Sequence, residues 1–258
     1  MEMFKEGKNF PLITFFLSLA FLVIFLLTFN NLVFYENLFG FKISQFPAVN
    51  STESLFQFLS YLIHFFVTLV TYTFLHADMY HLLGNMAMLI IVGLVLEERL
   101  GKGLFFSIYI FSGNIAAIFD IIGRVTLGIS FNVPFIGSSG AIFGLMAVGA
   151  LIKSMEKVPT VLVLLTFLPF AYLLSNLEIF SDMASLMIIV FFAIVLIVLI
   201  LPVFPAYIPL CVAAIIYLSS WLISFLIKYP IMISNIGHLG GMIGGIIAIF
   251  LFAKERTA

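Results

Sequence analysis

Gly237-His238-Leu239-Gly240-Gly241-Met242-Ile243-Gly244-Gly245 opens an apolar run, residues 236–253, that decides how this chain must fold. No Asp, Glu, Lys or Arg falls within the run, and its length approaches the roughly 20 apolar residues a helix needs to cross a bilayer. His238, Gly241 and Gly245 stand at i, i+3 and i+7, one face of a helix. Gly237/Gly241/Gly245 and Gly240/Gly244 are small-xxx-small sets, which let helix backbones approach closely in lipid. The run is therefore a membrane helix with a histidine near its head and a bare backbone along its packing face.

Seven runs of similar character lie upstream, at 10–30, 80–96, 104–122, 139–153, 158–174, 183–204 and 207–227. Composition agrees: 64% of the 258 residues are apolar and only 9% charged, where a soluble domain carries roughly a quarter charged. A water-soluble monomer is excluded, and the lipid bilayer is the expected surrounding. The 32 phenylalanines read as lipid-facing bulk and core. Eleven Lys+Arg against twelve Asp+Glu leave none of the basic excess that nucleic-acid binding requires, so no nucleic acid is expected as a partner. The single Cys211 sits in an apolar run without companion ligands, so no disulfide, metal or cofactor is expected. The polar start 1–8 precedes an apolar run that lacks a small-residue cleavage site, the pattern of a retained anchor.

The expected architecture is an all-α, polytopic transmembrane bundle forming a single integral-membrane domain, 1–258. Its parts are a cytoplasmic N-terminus 1–9, a first external loop 31–79 and a core 80–253. Within the loop, the stretch 58–75 carries Ser60, His64, Thr68, Thr71 and Thr73 and is expected as an interfacial or re-entrant element. Between Val158 and Ile227, five prolines (Pro159, Pro169, Pro202, Pro205, Pro209) interrupt three runs. One or three spans fit there, giving six or eight in total. With eight spans, Lys5, Lys8, Arg99, Lys102, Lys153, Lys157, Lys254 and Arg256 fall on the inner side, and Lys42, Arg124 and Lys228 on the outer. That bias places both termini in the cytoplasm and suggests the plasma membrane.

Polar groups within membrane spans are functional candidates because burying them unpaired is costly. Three clusters qualify: His76-Ala77-Asp78-Met79-Tyr80-His81-Leu82-Leu83-Gly84-Asn85, Gly137-Ser138-Ser139-Gly140-Ala141, and the glycine-histidine stretch at 237–245. Each opens a helix running inward from the outer face. His81 and Asn85 are one turn apart on one face. A nucleophilic serine needs a base, and histidine is the usual one. Ser139 and His238 meet only if their helices pack closely, which Gly140 and Gly144 allow on one side and the 237–245 glycines on the other.

Taken together, these blocks resemble the rhomboid intramembrane serine proteases. The likeness rests on H-x-x-x-x-H-x-x-x-N (His76, His81, Asn85), G-x-S-G (Gly137, Ser139, Gly140) and H-x-x-G-x-x-x-G (His238, Gly241, Gly245), with a charged segment Glu97-Glu98-Arg99-Leu100-Gly101, and covers roughly residues 71–253. The resemblance implies a six-helix catalytic core, Ser139 as nucleophile and His238 as general base without a third carboxylate. It further implies an oxyanion site built from His81, Asn85 and the backbone N–H of Ser139. Gly137, Gly140, Gly241, Gly245, Phe143 and His76 are supporting residues, with the Phe143 ring packed under His238 and His76 shaping the loop. Asp78 is placed to orient His76 or cap its helix as easily as to serve His238, and Glu97 is expected to pair with Arg99.

The chain departs from many relatives in lacking a Trp-Arg pair in its first loop, Trp221 being its only tryptophan, and in carrying extra apolar mass between Val158 and Ile227. The expected activity is endoproteolysis of single-span membrane proteins near the outer interface, at helix-weakening sequences. The loop after Tyr229 is the place to look for a moving lid. Two other functions draw on parts of the same sequence: a non-catalytic rhomboid-like protein binding membrane clients, and a small-solute transporter with proline-broken helices.

Overall fold

The computed structural model of the protein describes residues 10–42, 55–128, 130–152, 155–166, 207–213 and 232–253. The expected segment 1–9, the run 183–204, residues 167–174 and 214–227 of the runs 158–174 and 207–227, and the first residues after Tyr229 lie outside them. α1 (Leu12–Thr28) passes through a 3-10 turn into α2 (Leu32–Phe39). The first helical stretch thus runs past residue 31, where an external loop was expected to begin, and Leu12–Phe39 is one apolar unit of 28 residues. α3 (Leu55–Thr71) continues into a 3-10 turn, Tyr72–Phe74. Its 20 residues are as long and apolar as a spanning helix, so length does not separate the expected interfacial placement from a spanning one.

α4 (Met79–Leu100), α5 (Lys102–Leu127), α6 (Ser139–Ile152) and α8 (Met232–Ala253) form the core, with α5, α6 and α8 mutually packed, α4 against α6, and α1 alongside α4. Among the described residues five helical stretches are long and apolar enough to cross a membrane. α6 is not one of them. Its 14 residues reach about 21 Å at 1.5 Å per residue, well short of the roughly 30 Å hydrocarbon core. A helix this short begins inside the membrane if its inner end stays at the interface.

Two short strands were not anticipated. β1 (Lys157–Pro159) pairs antiparallel with β2 (Tyr207–Pro209), Lys157 opposite Pro209. Proline is tolerated in a two-stranded ribbon, where each strand has a free edge. α7 (Thr160–Leu165) follows β1. Residues 158–159 and 207–209, expected as the first turns of helices, instead close the base of the extra apolar segment. Leu210, directly after β2, is fully buried, and its side chain lies where a Cβ on Gly149 of α6 would fall.

Glu97 corrects a further expectation. Its carboxylate does not pair with Arg99 but takes the N-terminus of α1, accepting from the backbone N–H groups of Ile13 at 2.7 Å and Thr14 at 2.8 Å and from Thr14 Oγ1 at 2.8 Å. The first turn of a helix has orphan N–H donors and a partial positive charge, both of which favour a carboxylate. Thr14 also abuts Gly93 one turn earlier on α4, so helix-cap and close-packing contacts coincide. Replacing Glu97 with Ala leaves these donors buried without an acceptor and is expected to cost about 3 kcal/mol, read as a lowered unfolding midpoint in detergent. Glu97→Gln should recover only part, because its amide NH₂ turns a donor toward donors.

Candidate active site

The site is assembled from three helix beginnings. At α4, Asp78 has extended backbone and its side chain accepts from the His81 N–H at 2.8 Å, which makes it the N-cap. Capping, one of the three roles open to Asp78 from sequence, is the one observed. It fixes His81 in the first turn and, four residues on, Asn85 on the same face.

At α6, the loop before Ser139 is held by backbone contacts. Phe135 and Phe41 exchange N–H···O bonds of 2.8 and 3.1 Å, and the Gly137 N–H donates to the Tyr72 carbonyl at 3.0 Å. Tyr72 is wholly buried, its ring 5.0 Å from that of Phe135 and its hydroxyl donating to the Gly113 carbonyl on α5 at 2.7 Å. Gly137 has φ +109°, a region L side chains rarely adopt. A Cβ there would also lie 2.8 Å from His81 Nε2 and 3.8 Å from Asn85 Nδ2. Only glycine lets the loop and the His81 ring approach this closely.

At α8, the glycines bring the helices together as expected. A Cβ on Gly241 would fall on the Gly140 carbonyl, and one on Gly245 on the Gly144 carbonyl. The outcome is a contact of 2.7 Å between Ser139 Oγ and His238 Nε2, across 99 positions in sequence. In the tautomer that carries the ring proton on Nδ1 the hydroxyl donates to Nε2; Nδ1 is buried without a hydrogen-bond partner among the described residues. The Phe143 ring stacks on His238 with centroids 4.4 Å apart and planes 18° from parallel.

The histidines of the first cluster have definable tautomers. The Ala77 N–H donates to His81 Nδ1 at 3.5 Å, which leaves the proton on Nε2, the nitrogen beside Gly137. Asn85 is buried, and its Nδ2 has no acceptor among the described residues. Two N–H donors, His81 Nε2–H and Asn85 Nδ2–H, therefore lie beside Gly137 at the start of α6, an arrangement suited to developing negative charge. His76 is fully buried; burial first, and the His81 ring second, hold its pKa well below the ordinary histidine value. Ser139, His238, His81, Asn85, Gly137 and His76 thus converge, while His64 lies on α3.

Sequence reasoning missed the parts that brace this cluster. Tyr72 and Phe41 act through backbone atoms, which no side-chain pattern announces. Arg124, expected as an outer-loop cation, is instead buried on α5, with Nε donating to Asp120 at 2.7 Å and Nη1 to the Ser130 carbonyl of the loop before α6. The i, i+4 spacing of Asp120 and Arg124 in an apolar run was the available signal.

With this geometry in view, comparison with known proteins is decisive at one level. The family model of the Rhomboid domain matches residues 64–255. The chain belongs to the rhomboid family. An 85-residue stretch is 40% identical to the chloroplastic Rhomboid-like protein 11 of Arabidopsis thaliana, covering 33% of this chain and 28% of that protein. A stretch of 89 residues is 32% identical to the Inactive RHOMBOID-like protein 8 of Arabidopsis thaliana, covering 34% and 23%. The matched stretches thus span about a quarter of the length of each curated relative. No solved structure matches this rhomboid chain.

Proposed function

We propose that this rhomboid is an intramembrane serine endopeptidase acting on single-span membrane proteins. The observation that carries the reading is the 2.7 Å contact of Ser139 Oγ with His238 Nε2, within the 2.6–3.2 Å reach of a working nucleophile and base. Ser139 attacks the scissile carbonyl while Nε2 takes its proton. The carbonyl oxygen, now negative, settles between His81 Nε2–H, Asn85 Nδ2–H and the Ser139 N–H. The tetrahedral intermediate collapses as His238 returns the proton to the leaving amine, and water repeats the sequence on the acyl-enzyme. The shortness of α6 supports a scissile bond below the outer surface, and a helical substrate must unwind there to free its carbonyl. Cytoplasmic termini and a plasma-membrane location belong to the same reading and rest on the distribution of Lys and Arg.

The test is labelling of the purified chain by a fluorophosphonate, which needs no knowledge of the substrate. The parent is expected to label at Ser139, and Ser139→Ala and His238→Ala to remain folded and unlabelled. A folded parent that never labels would favour the second reading, a non-catalytic client-binding protein, which the likeness to a relative named as inactive keeps in view. For Asn85→Ala, proteolysis of a transmembrane reporter should fall about 10²- to 10³-fold, the usual effect of losing one oxyanion donor. An unchanged kcat would remove Asn85 from that role.

A further inference from the structure

Next to Ser139 stands a second serine with a histidine of its own. Ser138 is fully buried, and its Oγ lies 3.3 Å from Nε2 of the fully buried His76. On the far side of the ring, Nδ1 lies 3.3 Å from the Phe74 carbonyl. A carbonyl only accepts, so Nδ1 carries the proton and Nε2 is left as the acceptor of the Ser138 hydroxyl. The ring is gripped on its faces as well, with Phe21 of α1 at 5.1 Å and His81 at 5.2 Å, the latter nearly edge-to-face at 68°. His76 therefore touches both sides of the Gly137 contact: the His81 ring directly, and the loop that leads into α6 through Ser138.

The backbone around Ser138 shows why that second contact matters. The Gly137 N–H is bound to Tyr72 and the Ser138 carbonyl accepts from the Ile142 N–H at 3.0 Å, so the Ile136–Gly137 and Ser138–Ser139 peptides are each tied at one end, with the Gly137–Ser138 peptide between them. The Ser138 side chain supplies a further tie, to the segment that leads into α4. We propose that Ser138 and His76 are positioning residues that set the distance between the oxyanion donors on α4 and the Ser139 N–H on α6. The inference rests on the proteolytic reading and deepens it. Loss of the Ser138 hydroxyl lets the loop shift against His81 while the Ser139–His238 pair, held by the glycine contacts of α6 and α8, stays in place. Acylation then slows without any change in how a ligand is first bound.

The experiment uses the full chain in detergent and the rate of fluorophosphonate acylation, resolved into kinact and KI. Ser138→Ala is expected to lower kinact about five- to tenfold, the scale of one neutral hydrogen bond, with KI unchanged. His76→Phe keeps a ring between Phe21 and His81 but removes the nitrogen, and should give a similar loss. Adding Ser138→Ala to it should then cost nothing further, because the two act as one unit. The chain has four histidines, so ring ¹⁵N spectra of histidine-labelled protein give a readout independent of activity. His76 Nε2 should be unprotonated in the parent and shift on Ser138→Ala.

Parental kinact in Ser138→Ala, or losses that add in the double variant, overturns the inference and leaves the proteolytic reading intact. A folded parent that never acylates overturns both. If Ser138→Ala does not fold, His76→Phe carries the comparison alone, and parental kinact there overturns the inference.

Discussion

Ser139→Ala and His238→Ala are each expected to lower kcat against a transmembrane reporter about 10⁴- to 10⁶-fold, and the double variant to be no worse than either. The reason is the shared proton. Ser139 Oγ is weakly nucleophilic until His238 Nε2 accepts its hydrogen, and the two atoms are already 2.7 Å apart. Remove the imidazole and the hydroxyl keeps its proton; remove the hydroxyl and the base has nothing to deprotonate but water. What remains in all three variants is the rate supported by the flanking donors near Gly137. Steady-state proteolysis in bilayers measures this. Losses that multiply in the double variant would show two independent contributions and argue against a dyad.

Gly241→Val carries the second large effect. A Cβ at Gly241 would overlap the Gly140 carbonyl, and neither partner can yield, because both are backbone on adjoining helices. α6 and α8 must separate, by an amount of the order of a methyl group. Ser139 opens α6 and His238 lies three residues before Gly241 on α8, so the separation appears directly in their contact, and a misplacement of about 1 Å costs on the order of 10²-fold in rate. The same overpacking should cost about 1–3 kcal/mol in stability. Gly103→Ala is the control, since a Cβ there meets nothing within 4 Å, and it should leave both rate and unfolding midpoint at parental values. Equal behaviour of the two variants in acylation and thermal unfolding would show that the glycine contact does not set the site.

Much of this molecule is legible in one dimension. Membrane residence follows from composition, since 9% charged residues cannot clothe a soluble surface. The Gly140/Gly144 and Gly241/Gly245 spacing already implied that two helices touch, because a glycine face in lipid has little other use. Capping by Asp78 is one of three readings open from its place before the first turn of α4. These features are local or periodic, and periodicity survives in a string of letters.

The remainder required coordinates, for a different reason in each case. Glu97 lies at the end of α4 beside Arg99, and neighbourhood in sequence suggested a pair; in space the N-terminus of α1 offers three donors to the same carboxylate, and backbone donors have no sequence signature. Arg124 reads as a loop cation until α5 is seen to continue through it to Leu127. The β1–β2 ribbon joins segments about fifty residues apart, and its residues look like helix beginnings until they are paired.

The sequence by itself determined the solvent, the helical class and the set of polar residues that converge, because hydrophobic burial and helical period are written residue by residue. Tertiary packing is what sets Ser139 and His238 2.7 Å apart, seats Gly137 against the His81 ring near Asn85, and brings Ser138 to His76. Such distances come from helix packing and backbone hydrogen bonding between distant segments, and the chain records these only jointly.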